Sequence, residues 1–345
     1  DSFSMDLLTQ GLVGSAVAQS FCEPKAQHRA ALCGAIAGLA PDLDALISSS
    51  ADPLLNLDYH RHFSHALVFI PLGASIVALL IWFLSRRRFS FRETWIACFL
   101  GYGTHGLLDA CTSYGTHLLW PFALEKVSWN LVSIIDPLFS LPLLVLVILG
   151  VWHRRIWAPR AAALFCLSYL LFASSQHRVA EIAQSELIGM RDHNATRHII
   201  KPSIGNIFLH RSVYLHDGIY YVDGIHVFPG LSSKIYAGGE VEALNIKEAF
   251  PQLKENTRQA KDVSRFDQFS DGYLCQHPEL DQVIGDIRFA MLPTSVSPLW
   301  GIKIDPDNPD QSPELIKHRQ MEQGGLDRFF GMLLRRSISS KKQNQ

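Results

Sequence analysis

The sequence predicts an α-helical multi-pass membrane bundle of about six segments, followed by a soluble β-rich α+β domain. Three observations predict it. Charge is uneven along the 345 residues: Asp, Glu, Lys and Arg make up roughly 13% of the first 180 and roughly a quarter of the rest. A quarter is the ordinary soluble value. Long apolar runs fall only in the first part, and turn-punctuated runs of Tyr, Val and Ile only in the second. The boundary near Arg178 divides the chain into a membrane-embedded region at 1–180, a soluble β-rich domain at 181–312, and an amphipathic helix with a polar tail at 313–345.

Taking the segments in order, a span needs about 20 mainly apolar residues. Leu7–Phe21 and Ala30–Ile47 are rich in Gly and Ala, and the second contains Asp42 and Asp44. A signal peptide is an alternative for the first, but it lacks a basic n-region, and Thr9 and Gln10 interrupt its apolar run. Leu67–Leu84 is strongly apolar and is followed by Arg86, Arg87 and Arg88. Trp95–Ala110 is apolar yet contains His105 and Asp109. Leu131–Trp152 is followed by His153, Arg154 and Arg155, and Ala161–Ser175 is shorter. Lys25/Arg29, Arg86–Arg88/Arg92 and Arg154/Arg155/Arg160 then occupy alternate connections. The positive-inside rule places these in the cytoplasm and the C-terminal domain on the outer, periplasmic side of a bacterial-type inner membrane.

In the second part, Val213–Val227 carries two strand-like runs broken by Asp-Gly pairs, a hairpin signal. Asp286–Met291 and Leu299–Ile304 are further strands, and Glu240–Ala249 is a short helix. Glu314–Arg336 is amphipathic, and the tail SSKKQNQ is frayed. Asn194-Ala195-Thr196 fits a glycosylation sequon, a pattern common by chance.

The averages exclude other classes. A hydrophobic content of 48% and a mean hydropathy of +0.11 exclude a disordered chain. A net charge of −1 gives no electrostatic footprint for nucleic acid, so no such partner is expected. The 6 cysteines lack CxxC spacing and read as small packing residues. Neither a G-x-S-x-G elbow nor a Walker A loop occurs.

Ionisable residues within membrane segments are costly and mark function by default. Here they collect on one expected face: Asp42 and Asp44, then His60, His62 and His65, then His105 and Asp109, with Asp136 on the same side. His105 and Asp109 are spaced i,i+4, so a helix puts them on one face a turn apart. His and carboxylate at that spacing can share a metal ion. Asp42 and Asp44 diverge by about 200° on a regular helix and both face the site only if the chain at Pro41 is irregular. His62 reads as a rim residue, and His117, His193, His198, His210, His216, His226 and His277 as surface or hairpin residues. The expected ligands are Asp42, Asp44, His60, His65, His105 and Asp109, in one crowded site or a two-metal site. Nitrogen and oxygen donors without thiolate point to a divalent ion, Zn first, with Mn or Fe as alternatives.

At these residues the sequence resembles the YdjM-like family of membrane-bound metal-dependent hydrolases. The matching stretches are Met5-Asp6-Leu7-Leu8-Thr9-Gln10, Pro41-Asp42-Leu43-Asp44, His60-Arg61-His62-Phe63-Ser64-His65, His105-Gly106-Leu107-Leu108-Asp109, Thr112-Ser113-Tyr114-Gly115-Thr116 running to Trp120-Pro121-Phe122, and Ile134-Ile135-Asp136-Pro137-Leu138. The resemblance covers roughly residues 5–180 and continues more weakly beyond, as at Gly272-Tyr273. The family commonly has Thr where Ser64 stands and Ser where Ala66 stands; Ser64 keeps the hydroxyl. The resemblance implies a multi-pass inner-membrane hydrolase and supplies no substrate.

The function expected is a hydrolase in which metal-activated water attacks a lipid or lipid-linked substrate, a phosphoester for preference, at the outer membrane face. Asp44 or Asp109 serves as general base if it is not a ligand. Arg61 stabilises negative charge on the substrate, or is a snorkelling interfacial residue. The alternative is a non-catalytic, metal-stabilised membrane scaffold or partner-binding protein. A transporter is a third class, disfavoured by the lack of inverted repeats.

Overall fold

The computed structural model describes residues 6–86, 89–254 and 256–337. Met5, Arg87, Arg88 and the polar tail lie outside the described residues. The chain forms two compact units. The first holds residues up to Ile47, Tyr59–Ser175 and Ile204–Asn206; the second holds Ser48–Asp58, Gln176–Ser203 and Ile207 onward.

The helices through the first unit are α1 (Leu7–Ser20), α2 (Gln27–Leu39), α3 (Leu55–Tyr59), α4 (Ile70–Leu84), α5 (Phe91–Ala110), α6 (Pro137–His153) and α7 (Trp157–Met190); α3 and α7 each run into the second unit. Asp6 caps α1 by accepting from the Leu8 N–H, and Asp136 caps α6 by accepting from that of Leu138. α1, α2 and α5 meet at glycines. A Cβ on Gly14 would collide with the Gly34 carbonyl, and one on Gly34 with that of Gly14. One on Gly101 would collide with Gly34 as well. Small residues let backbones approach closely where burial alone cannot drive association. Ala18, Cys33, Ala37, Ala74, Ala78, Ala97 and Cys98 continue this tight packing, with Tyr102 filling the space beside Gly73. All 6 cysteines are free, and five are buried.

The expectation of six membrane segments is corrected. Among the described residues, two helices are long and apolar enough to cross a membrane: Leu67–Leu84, which adds one 3₁₀ turn to α4, and α7. The reason is length and polarity. At 1.5 Å per residue, the 14 residues of α1 and the 13 of α2 rise only about 20 Å, short of a hydrocarbon core of about 30 Å. α2 stops because Pro41 turns the chain into a 3₁₀ stretch, Ala40–Leu46. α6 has 17 residues. α5 has 20 but carries Arg92, Glu93, His105 and Asp109. An alternation of six segments therefore does not fix the orientation.

The second unit is built on two four-stranded antiparallel sheets. One has the order β1 (Arg197–Pro202), β2 (Leu209–His216), β3 (Ile219–Phe228), β4 (Leu231–Glu242); the other β5 (Leu274–Gln276), β6 (Val283–Asp286), β7 (Trp300–Lys303), β8 (Glu314–Lys317). The expected hairpin is β2–β3. Its turn residues Asp217 and Gly218 both have positive φ, 47° and 78°, as a two-residue hairpin turn requires. The second Asp-Gly pair makes no turn: Asp223 lies buried within β3, held bidentately by Arg191 at 2.7 and 2.8 Å. The helix expected at Glu240–Ala249 shrinks to α8 (Ile246–Ala249), because β4 runs to Glu242. The strand expected at Asp286–Met291 lies earlier, ending at Asp286. α9 (Arg258–Phe269) follows α8, and the stretch Glu314–Arg336 contains β8 and α10 (Gly325–Leu333).

Candidate metal centre

The site lies wholly in the first unit and is assembled from four elements. The 3₁₀ stretch Ala40–Leu46 brings Asp42 and Asp44. At three residues per turn they point about 240° apart, so they serve different neighbours. His60 follows α3, and His65 ends the 3₁₀ turn Phe63–His65. α5 presents His105 and Asp109 one turn apart, both fully buried. Gly106 admits the His65 backbone, since a Cβ there would collide with the His65 carbonyl.

The three imidazoles share one arrangement. His105 Nδ1 lies 2.6 Å from the Gly38 carbonyl, His60 Nδ1 2.7 Å from Asp44 Oδ1, and His65 Nδ1 3.1 Å from Asp44 Oδ2. Carbonyl and carboxylate oxygens only accept, and Ser64 Oγ, 3.0 Å from His65 Nδ1, gives its one proton to Asp44 Oδ2 and so accepts from the ring; the partners therefore assign the proton to Nδ1 and leave a lone pair on Nε2 of the neutral ring. His65 Nε2 and His105 Nε2 nevertheless stand 2.9 Å apart. Two lone pairs at that distance repel unless a cation sits against both. Asp42 Oδ1 lies 3.6 Å from His65 Nε2 and 3.4 Å from His105 Nε2, and Asp109 Oδ2 lies 3.3 and 3.7 Å from them. A tetrahedral ion with bonds of about 2.05 Å has ligand–ligand edges of about 3.3 Å. The five separations between the histidine Nε2 atoms and these carboxylate oxygens run from 2.9 to 3.7 Å, around that value, and the donor atoms of Asp42, His65, His105 and Asp109 all fall within 4.8 Å of one another.

The electrostatics point the same way. The cluster sets three carboxylates, Asp42, Asp44 and Asp109, against one guanidinium, that of Arg61 beside Asp109, so two negative charges are in excess. Burial opposes charge on His65, but Asp109, Asp42 and Asp44 outweigh it and raise its pKa to about 10. The carboxylates thus favour positive charge at His65. Neither oxygen of Asp42, nor Asp109 Oδ2, accepts a hydrogen bond, although all are buried. Buried acceptors normally have partners, so these atoms fit a cation.

Around the quartet, other residues hold it in place. Asp44 Oδ2 also accepts from the Arg61 backbone N–H at 3.1 Å and from Ser64 Oγ at 2.5 Å. Arg61 adopts φ 66° to make that contact. Its Nε pairs with Asp109 Oδ2 at 3.2 Å, and its Nη1 donates to Thr112 Oγ1 at 2.9 Å. Arg61 therefore braces the site's own carboxylates. Tyr102 donates to the Ser64 carbonyl at 2.8 Å. Gln10 on α1 donates from Nε2 to Asp109 Oδ1 at 2.9 Å, leaving Oδ2 toward the histidines. Sequence reasoning missed Gln10 as a site residue; the signal was a lone amide in an apolar run.

All six expected ligands come together, in two overlapping groups: the quartet, and Asp42 with Asp44 and His60. His62 and Asp136 belong to neither. His62 packs on His117, Trp120 and Tyr59. Asp136 accepts from Tyr169 at 2.6 Å while capping α6.

The YdjM inner membrane protein family matches residues 5–180, the stretch that supplies every residue of this site. The chain belongs to the YdjM inner membrane protein family. Inner membrane protein YbcI of Escherichia coli (strain K12) is 31% identical over 112 residues, which is 31% of this chain and 62% of that protein. The chain thus spans just under two thirds of that relative's length. No solved structure matches. A YdjM family member is an inner-membrane protein, and this one carries a His/Asp cluster that could hold a metal ion.

Proposed function

We propose that the chain is a membrane-bound metal-dependent hydrolase acting on a lipid or lipid-linked phosphoester. The observation that carries the reading is the pair of Nε2 atoms at 2.9 Å, each ring fixed through Nδ1, with two carboxylate oxygens completing a tetrahedral set. A divalent ion, zinc foremost, would supply Lewis acidity there, polarising a substrate oxygen and lowering the pKa of water. The chain's own residues bind and orient. Asp42, His65, His105 and Asp109 are the ligands, and Asp44, Gly38, Ser64 and Gln10 fix their rotamers and tautomers. Arg61 offsets part of the carboxylate charge.

A lipid substrate is favoured by the surroundings of Asp42. Leu43 and Leu46 on the same 3₁₀ stretch are 64% and 78% exposed, an apolar rim beside a polar centre. Arg86 follows α4, while Arg154, Arg155 and Arg160 lie before or within the first turn of α7. The positive-inside rule then puts those helix ends in the cytoplasm, and the start of α4 and the end of α7 on the outer side.

The test is turnover of a panel of lipid phosphoesters by purified, metal-loaded protein, with His105→Ala and Asp109→Ala beside it. The expected result is phosphate or headgroup release that requires metal and is lost in both variants. Metal that raises stability while no substrate of any class turns over would refute hydrolysis in favour of a scaffold.

A further inference from the structure

We infer that the centre holds two divalent ions, bridged by Asp42. This rests on the metal-centre reading above. The quartet accounts for one ion and uses Asp42 Oδ1. It leaves three observations unexplained. His60 is 8% exposed, and its Nε2 is buried without a hydrogen-bond partner. Asp42 Oδ2 is likewise buried and accepts nothing. Asp42, Asp44 and His60 offer donor atoms within 4.8 Å of one another, separately from the quartet.

His60 is built as a ligand. Its Nδ1 is held by Asp44 Oδ1 at 2.7 Å, the carboxylate–imidazole arrangement that fixes a ligating ring and raises its basicity. An imidazole so fixed, buried, with nothing on its second nitrogen, has no packing rationale. Asp44 orients and does not share this ion: the His60 Nδ1–H that its Oδ1 accepts turns Nε2 away from that oxygen, and its Oδ2 takes the Arg61 and Ser64 donors. The second ion's ligands from this chain are His60 Nε2 and Asp42 Oδ2, the two buried atoms with no hydrogen-bond partner.

Charge supports a count of two. Three carboxylates and one guanidinium sum to −2 with neutral histidines. One divalent ion brings the buried centre to neutrality and leaves no attraction for an anion. A second brings it to +2, the charge that receives a phosphoester together with the hydroxide that attacks it. Two-metal sites stabilise attacking and leaving oxygens of an in-line phosphoryl displacement in this way. The inference therefore narrows the substrate to a phosphoester.

The test uses Mn²⁺ alone, added to full-length protein stripped of metal in detergent. Stoichiometry is read by elemental analysis after desalting, and the spectrum by electron paramagnetic resonance. Two Mn²⁺ per chain with an exchange-coupled spectrum are expected. His60→Ala and the volume-keeping His60→Gln should each drop to one Mn²⁺ per chain, with the six-line signal of an isolated ion. One Mn²⁺ per wild-type chain would overturn the inference and leave the quartet standing. Two uncoupled ions would overturn the Asp42 bridge. No bound Mn²⁺ at all, with Zn²⁺ also failing to bind, would bring down the metal reading beneath it.

Discussion

Gln10 provides the sharpest separation of a positioning role from simple packing. The substitution Gln10→Leu keeps most of the side-chain volume and removes the Nε2 donor that holds Asp109 Oδ1 at 2.9 Å. Gln10 and Asp109 are both fully buried, so no water replaces the donor without rearrangement. A hydrogen bond to a charged group contributes about 1.5–3 kcal/mol. Freed on that side, the Asp109 carboxylate rotates and no longer presents Oδ2 to His65 and His105. Loss of a group that orients a ligand typically weakens metal binding about 10–100-fold, or about 1.4–2.7 kcal/mol. The assay is competition against a chelating indicator with Zn²⁺, on purified protein. Thr9→Val is the control: Thr9 Oγ1 contacts Asp6 and Ser140 and has no part in holding Asp109. The expected result is Zn²⁺ affinity reduced 10–100-fold in Gln10→Leu and unchanged in Thr9→Val. Equal affinity in Gln10→Leu and wild type would refute the positioning role, and equal losses in both variants would mean that any polar residue of α1 matters only for folding.

Arg61→Met should destabilise the metal-free protein by roughly 3–5 kcal/mol, because it leaves Asp109 buried without its countercharge; thermal unfolding with and without Zn²⁺ should show the ion restoring part of the loss. Gly34→Ala places a methyl against the Gly14 carbonyl and should cost about 1–3 kcal/mol or more, since neither backbone can yield; unfolding in detergent at fixed micelle concentration measures it. In the second unit, burial drives the His210 pKa down to about 3, with His177 adding to the effect. The unfolded chain then binds the extra proton below an ordinary value near 6.5, so stability falls as pH falls through the window from 6.5 to 3. The loss between pH 7 and pH 5 is roughly 2 kcal/mol, and His210→Gln should flatten that dependence in an unfolding series across pH.

The site was more legible than the membrane topology. The i,i+4 spacing of His105 and Asp109 and the clustering of Asp42, Asp44, His60 and His65 are sequence patterns, and the structure brings these residues together. What spacing does not carry is atom-level commitment. Nothing in Pro41-Asp42-Leu43-Asp44 tells which carboxylate gives its oxygens to protein donors and which leaves them open. Gln10 read as an interruption of an apolar run because hydropathy scores an amide only as a cost. The hairpin was legible because Asp217-Gly218 needs left-handed backbone that few residues adopt; the same dipeptide at 223–224 misled because Asp223 is buried within a strand and held there by Arg191. Segment counting failed where apolar runs were extended across residues that end helices, such as Pro41, or across a polar helix such as α5.

If the facing histidines hold a metal ion, anomalous diffraction at the zinc edge, on crystals of protein loaded with Zn²⁺, will show it. A peak is expected in contact with His65 Nε2, His105 Nε2, Asp42 Oδ1 and Asp109 Oδ2. Zinc-loaded crystals with no peak there, and with the two Nε2 atoms still 2.9 Å apart sharing a proton, would contradict it.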